Sequence, residues 1–128
     1  RNVRMSHEFV VILVDEAIAG KMNLCAVSLP YGVSELQPAG FTTAPSSVVK
    51  PPRIAEAPVS LECTEWGTLQ IGGNRVVIGL VKRAHLRDEL FDVEKARVRS
   101  EKLLLIGRMA SPHWYCRTRD RFEMKRPD

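Results

Sequence analysis

The side chains of this sequence that could carry out acid–base chemistry are few and scattered. His85 stands close to the acidic residues Asp88 and Glu89, and an imidazole can act as a general acid or base near neutral pH. A histidine at the end of a strand is more often a packed or surface residue, and we favour that interpretation. The sequence contains no nucleophile elbow, no phosphate-binding loop and no dinucleotide-binding glycine motif. The sequence therefore indicates no self-contained catalytic centre.

Metal ligation and disulfide bonding are both disfavoured by the spacing of the cysteines. His113 and Cys116 form an H-x-x-C pair, which has the spacing of half a metal site. A closed zinc site needs four ligands, and no second pair stands near this one in the sequence. The chain has three cysteines and no C-x-x-C motif, which favours reduced thiols over a disulfide framework. We therefore expect no metal.

Length and composition bound the class of protein. The 128 residues are enough for one domain with one hydrophobic core. Hydrophobic residues make up 45% of the chain and charged residues 27%, as in ordinary globular proteins. The longest apolar run extends only from Phe9 to Val14, whereas a membrane-spanning helix needs about 20 residues. Because no export segment is present either, we expect a cytoplasmic protein that is not bound to a membrane.

The excess positive charge is concentrated near the C-terminal end of the sequence. Arg117, Arg119 and Arg121 are two residues apart, so they would share one face of a strand. Such a stripe, with aromatic residues close by, is one feature of a nucleic-acid-binding surface. The alternative is the solvated face of a terminal strand that charge keeps soluble. We favour the alternative, because the rest of the chain has no basic patch and no binding motif, and we expect no nucleic acid as a partner.

The first half of the chain predicts a strand, a helix and a long connection. The β-branched run Phe9–Val14 is typical of a buried strand. Asp15 can cap a helix that runs roughly from Glu16 to Ala26. A stretch rich in proline and glycine follows, which leaves space only for a short turn of helix at Ser34–Gln37. The Pro- and Ser-rich segment 42–58 predicts an extended connection over the surface.

The strongest pattern in the sequence predicts a β-hairpin. Val59, Leu61 and Cys63 alternate with polar residues, which is the period of a half-buried strand. The sequence GGN at positions 72–74 is typical of a tight turn. The next strand is apolar on both faces from Val76 to Val81, which indicates a barrel wall covered from outside by a helix of this chain or by a second subunit. The predicted fold class is α+β, mainly β, with a barrel-like sheet.

Several segments of the sequence occur in the order of one known family. They are RNVRMSHEFVVILVDEAIAGKMN, PYGVSELQPAGFTTAPSSVVKPPRIAEAPVSLEC, VVIGLVKRAHL and LLLIGRMASPHWY. In this order they resemble the flavin reductase-like, FMN-binding split-barrel family, and VKPPRIAEAPVSLEC is the most specific part. The sequence departs from the family pattern at Ile12, where the family strand usually has Asn, and at Ser34 and Leu36, which stand for Asp and Phe.

The resemblance implies both a fold and an activity. The fold is an antiparallel Greek-key split β-barrel with short flanking helices. Because family members carry further chain before Arg1, the resemblance implies that residues 1–128 are a partial domain, truncated at its N-terminus. The activity is hydride transfer from NAD(P)H to FMN, with a homodimer that holds FMN at its two-fold interface and a partner oxygenase that takes reduced flavin. The alternatives are a non-catalytic FMN carrier or sensor on the same fold and a basic nucleic-acid-binding module.

The resemblance also implies which residues hold the cofactor. The candidates are Arg1 and Asn2 on the phosphate side, Met22 and Asn23 at the end of the first helix, and Arg108 and Tyr115 in the closing motif. Three of these assignments have a structural alternative. Arg1 could be a mobile terminus, Met22 a core residue, and Arg108 one half of an ion pair with a neighbouring carboxylate.

Overall fold

The computed structural model describes residues 2–30 and 32–127 and shows a mainly β fold. Two short helices, α1 and α2, span Asn2–Ser6 and Ala19–Leu24. A turn of 3-10 helix covers Asp88–Leu90. The strands are β1 Glu8–Leu13, β2 Thr43–Ala44, β3 Arg53–Ile54, β4 Val59–Ile71, β5 Asn74–Leu86, β6 Phe91–Asp92, β7 Arg97–Val98, β8 Ile106–Ala110 and β9 Trp114–Arg117.

The central sheet has three antiparallel strands in the order β1-β4-β5. β1 pairs with the first half of β4, from Leu13 opposite Val59 to Glu8 opposite Thr64. The other strands form three antiparallel pairs, β2-β3, β6-β7 and β8-β9. This arrangement confirms the mainly β class, whereas the Greek-key connection of the barrel stays a prediction.

The hairpin predicted from the sequence is present. β4 and β5 pair from Val59 opposite Leu86 to Ile71 opposite Asn74, which leaves a two-residue turn. Gly72 in that turn has φ 56°, a conformation that glycine adopts at little cost. The outer face of β5 lacks a cover, since Ile78 is 40% and Leu80 50% exposed. The sequence led us to expect that a helix of this chain or a second subunit covers this face. Among the described residues no helix covers it, so the first alternative is wrong for this part of the chain.

The predicted helix at 16–26 begins later in the structure, and the strand before it is shifted by one residue. Asp15 forms a β-bridge with Leu105, and the N–H of Ile106 donates to the carbonyl of Val14 at 3.0 Å. The extended backbone therefore continues through residue 15. The side chain of Asp15 accepts a hydrogen bond from the N–H of Ile18 at 3.2 Å, so it stabilises the turn before α2 instead of capping a helix at Glu16.

The turn of helix expected at Ser34–Gln37 is confirmed in part: hydrogen-bonded turns cover residues 36–40, and the N–H of Ala39 donates to the carbonyl of Glu35 at 3.1 Å, but no longer helix forms in this stretch. Pro38 has no N–H to donate to a helical carbonyl, and Gly40 has φ 75°, which is outside the helical region. The extended connection expected over 42–58 is confirmed in part. It contains β2 and β3, and Thr43 pairs with Ile54.

The main hydrophobic cluster lies beneath α2. Its buried members are Ile18, Ala39 and Phe41, and Met22 packs against them from the helix. The core alternative for Met22 is therefore correct, and the same side chain also lines the cleft described below.

Within the described residues, every helix is too short or too polar to cross a membrane.

Candidate functional site

A cleft of about 480 Å³ lies between α2 and the β8-β9 hairpin. Four of the six residues singled out in the sequence line it, namely Met22, Asn23, Arg108 and Tyr115. The other lining residues are Glu16, Ala19, Gly20, Ile106, Pro112, His113, Cys116 and Arg117. Of the remaining two candidates, Arg1 lies outside the described residues and Asn2 begins α1. The roles of these two residues stay predictions.

Long-range backbone pairing positions the two walls of the cleft. The bridge between Asp15 and Leu105 brings the start of β8 against the chain that leads into α2. β8 and β9 then pair, with Arg108 opposite Tyr115 and Gly107 opposite Cys116. This pairing sets the closing motif of the sequence beside Met22 and Asn23, which are more than 80 residues earlier in the chain.

Arg108 is the cation inside the cleft with the most unused hydrogen-bonding capacity. Its Nη2 donates to the carbonyl of Pro112 at 3.1 Å, and its guanidinium carbon lies 5.6 Å from the centre of the Tyr115 ring. Among the described residues, no carboxylate forms an ion pair with it. The ion-pair alternative is therefore wrong for this part of the chain. A guanidinium has five N–H donors, so several remain to bind an anion.

Glu16 and Arg117, which both line the cleft, form a cluster with Arg119. Nε of Arg117 lies 2.8 Å from each carboxylate oxygen of Glu16, and Nη2 of Arg119 lies 3.0 Å from Oε2. The hydrogen bond from Arg117 is the main cause of a lowered pKa of Glu16, and Glu16 in turn raises the pKa of Arg117. β9 ends at Arg117, so Arg119 and Arg121 lie beyond the strand and the expected stripe on one strand face is wrong.

A second polar group lies inside the protein, away from the cleft. Glu62 on β4 is fully buried, and its carboxylate accepts backbone N–H groups from Ser47 at 2.8 Å, Val48 at 2.7 Å and Val49 at 3.2 Å. Nε2 of His85 lies 2.5 Å from Oε1 of the same carboxylate. Burial alone would raise the pKa of Glu62, but the hydrogen bonds from Ser47, Val48 and His85 outweigh it and lower the pKa to about 2.

This buried group settles two expectations from the sequence. His85 is a packed residue, as favoured, because it pairs with Glu62 and does not line the cleft. The half-buried alternation expected for β4 is wrong, since Ser60 and Glu62 on the polar face are as buried as Val59 and Cys63 on the other. The loop that contains Ser47 and Val49 covers the polar face and supplies the hydrogen bonds.

The described cysteine, histidine and acidic side chains are dispersed over the fold. Cys25, Cys63 and Cys116 are free thiols, which agrees with the expectation from the sequence. Within the described ranges, no three His, Cys, Asp or Glu side chains are grouped closely enough to hold a metal ion.

The sequence analysis did not predict a role for Glu16 and treated the arginines at the end of β9 only as a charged stripe. The only signal was the late excess of arginine, but Glu16 is 101 residues from Arg117 and 103 from Arg119.

Comparison with known proteins gives one matching family. The model described as flavin reductase like domain matches residues 1–112. The chain is 37% identical to the 2-nitrobenzoate 2-nitroreductase of Pseudomonas fluorescens and superposes on it with a TM-score of 0.89, covering 98% of this chain and 62% of that one. It is 32% identical to component B of nitrilotriacetate monooxygenase from Bacillus cereus, with a TM-score of 0.89, covering 97% and 63% of the two chains.

A more distant structure bears on the fold alone. The split barrel domain of a Shewanella frigidimarina protein superposes with a TM-score of 0.86 at 12% identity, covering 98% of this chain and 64% of that one. This likeness confirms the split-barrel architecture. The chain also spans only 56–64% of the length of four curated relatives that it matches at 32–42% identity.

Proposed function

This chain belongs to the flavin reductase-like domain family, and on that premise we propose that it forms part of an FMN-binding oxidoreductase that uses NAD(P)H. The observation that carries the proposal is the cleft. Four residues chosen from the sequence for cofactor binding, on α2, β8 and β9, line this one cavity. The alternative of a non-catalytic FMN carrier or sensor uses the same cleft and differs only in whether a nicotinamide donor reduces the flavin.

The lining of the cleft fits a flavin mononucleotide. A volume of about 480 Å³ is within the range of small-molecule sites, which are mostly apolar with a few placed polar groups. Met22, Ile106 and the ring of Tyr115 offer apolar contacts for a planar ring system, and Asn23 offers an amide that can both donate and accept. The guanidinium of Arg108 supplies a charge-assisted donor for a phosphate. When bound, the flavin would accept the hydride that NAD(P)H gives up.

The residues of this chain would bind and orient, because no nucleophile or general base is needed at the flavin. Arg108 is already held in place by the Pro112 carbonyl and by the Tyr115 ring. A side chain fixed in this way loses little further freedom when it binds an anion. The same contacts keep the β8-β9 turn against the cleft, so Arg108 would both form the site and bind the phosphate.

The acceptor of the electrons is also part of the proposal. One similar structure is a component of a monooxygenase and another is a nitroreductase. These two proteins support an oxygenase partner that receives reduced flavin, with direct reduction of an organic acceptor as the alternative. In the first case the reduced flavin must leave or be shared, and in the second the acceptor must enter the cleft.

Replacing Arg108 tests this assignment. Titration of the purified protein with FMN, followed by flavin fluorescence, should show that Arg108→Ala weakens binding by about 1.5–3 kcal/mol, the range of a hydrogen bond to a charged group. Arg97 on β7 does not line the cleft, so Arg97→Ala is the matched control and should bind FMN as the wild type does. Riboflavin, which lacks the phosphate, should bind both variants equally.

Two outcomes would count against the proposal. Equal FMN affinity of Arg108→Ala and wild type, with a lower melting temperature of the variant, would leave Arg108 only its role in holding the turn. A wild-type protein that binds neither FMN nor FAD would overturn the flavin assignment itself. If FMN binds but NADH and NADPH both fail to bleach its absorbance anaerobically, the carrier or sensor alternative is correct.

We also propose a homodimer, because β5 presents an uncovered apolar face. Val76 is 44%, Ile78 40% and Leu80 50% exposed, and such a row of apolar side chains is usually covered in a functional assembly. A second copy of this chain could cover it by an isologous contact about a two-fold axis. The cytoplasmic location expected from the sequence stays a prediction.

A further inference from the structure

The cluster of Glu16, Arg117 and Arg119 differs from an ordinary surface ion pair in its charge balance. One carboxylate accepts hydrogen bonds from two guanidinium groups. The cluster therefore keeps a net charge of one positive unit, whereas a simple ion pair is neutral. The side chains of Arg117, Arg119 and Glu16 are 60%, 56% and 45% exposed, so an incoming anion can reach them.

The arginines of this cluster also keep unused donors. Arg117 engages Glu16 through Nε and Nη2, and Arg119 engages it through Nη2 alone. Within the part of the chain that the structure describes, Nη1 of each guanidinium has no hydrogen-bond partner. Because the shared carboxylate holds both groups side by side, their free donors are partly fixed before a ligand arrives. Planar guanidinium groups with free donors match the geometry of phosphate oxygens.

The position of the cluster connects it with the proposed reaction. Glu16 and Arg117 line the same cleft as Arg108 and Tyr115, and Arg117 follows Tyr115 by two residues on β9. A reductase of this kind must bind a dinucleotide donor, and the negative charges of that donor are all on its phosphate groups. A flavin phosphate held by Arg108 would leave the second cationic cluster available for a different ligand.

We propose that Arg117 and Arg119, positioned by Glu16, form a subsite for a phosphate group of the nicotinamide donor. The identity of the donor rests on the proposed function, whereas the affinity of the cluster for phosphate does not. Two groups of such a donor have the required chemistry, the pyrophosphate bridge common to NADH and NADPH and the 2′-phosphate present only in NADPH. Arg119 is the residue to change, because Arg117 also belongs to β9 and its loss would disturb the hairpin.

The first test uses inorganic pyrophosphate and needs no flavin. In calorimetric titrations of the protein, Arg119→Gln should weaken pyrophosphate binding about 3- to 10-fold, since one exposed charge-assisted contact is lost. The matched control is Arg121→Gln, which removes the same charge two residues later. Arg121 donates to the hydroxyl of Ser100 at 3.2 Å and not to Glu16, so this control should bind nearly as the wild type does. Equal weakening by both variants, or no binding by the wild type, would overturn the subsite.

The second test separates the two phosphate sources in steady-state flavin reduction. Arg119→Gln should raise KM for the donor about 3- to 10-fold with kcat nearly unchanged, as expected for lost ground-state binding. A rise for both NADH and NADPH assigns the pyrophosphate bridge, and a rise for NADPH alone assigns the 2′-phosphate. Unchanged KM for both donors would overturn the assignment to the nicotinamide donor. If the wild type reduces no flavin, the proposed function fails, and the pyrophosphate titration still decides the subsite.

Discussion

Gly79 on β5 offers the sharpest test of how the sheet is packed. An added Cβ at this position would lie 2.4 Å from Cζ of Phe9, 3.0 Å from its Cε1 and 3.3 Å from Cβ of Cys63. The first distance is far below any ordinary carbon–carbon contact. Phe9 lies on β1 and Cys63 on β4, so a side chain at Gly79 would press on both of the other strands of the central sheet.

The expected effect of Gly79→Ala is a loss of stability. Forcing one extra methyl group into a packed site typically costs about 1–3 kcal/mol, because side chains leave their preferred rotamers and the backbone shifts. For a domain of this size, that corresponds to a fall of roughly 3–12 °C in melting temperature. Thermal unfolding followed by circular dichroism measures the shift, and urea unfolding gives the free energy independently.

Gly67 on β4 provides the matched control. A Cβ added there meets no atom within 4 Å, and alanine restricts the unfolded chain more than glycine does, so Gly67→Ala should be neutral or stabilising by up to about 1 kcal/mol. In the Gly79→Ala background, the further change Phe9→Ala should cost less than it does alone, because it removes the clashing ring. Equal melting temperatures of Gly79→Ala and wild type would show that Phe9 moves aside freely and would refute the packing described for this sheet.

Two other predictions follow from the buried carboxylate and from the uncovered strand. The pKa of Glu62 is about 2 in the folded protein against an ordinary value of 4.5, so its stabilisation should be complete above pH 4.5 and lost as the pH falls towards 2. Across this range, the urea midpoint should fall less steeply with decreasing pH for Glu62→Gln than for the wild type. The exposed control Glu89→Gln should leave this fall unchanged. Parallel curves for all three proteins would contradict the role of Glu62. If the proposed homodimer forms through β5, Leu80→Asp should give monomers in sedimentation velocity at concentrations where the wild type is dimeric. The control Val93→Asp, which alters an exposed turn residue, should sediment as the wild type does, and a dimeric Leu80→Asp protein would remove β5 from the interface.

Local sequence predicted the hairpin well because its determinants are local. The apolar runs on either side of Gly72 and Gly73 predict two paired strands, and Gly72 adopts the positive φ that glycine allows in the turn. The start of α2 could not be predicted in the same way. Asp15 has the side chain of a helix cap, but its backbone pairs with Leu105, a contact that no local pattern reveals.

The burial of Glu62 shows why a polar residue in an alternating strand can be misassigned. Its alternation with Leu61 and Cys63 predicts a solvent-facing side chain. In the structure, the loop at Ser47–Val49 packs over that face and donates three backbone N–H groups to the Glu62 carboxylate. The sequence of the loop, which is rich in Pro and Ser, does not indicate where its N–H groups will point.

The family resemblance supplied the residues of the candidate site, and to that extent the site could be predicted. The structure adds the contacts that bring these residues together. α2 has only six residues and none of them is buried, so it has little stability of its own. Nζ of Lys21 donates to the carbonyl of Gly40 at 2.8 Å and lies 5.7 Å from the centre of the Phe41 ring, which fixes one side of the helix. Glu16, just before the helix, binds Arg117 on β9. The same ion pairs that supply cationic donors to the cleft therefore also fix its α2 wall, so ligand binding at Arg117 and the position of Met22 should be coupled.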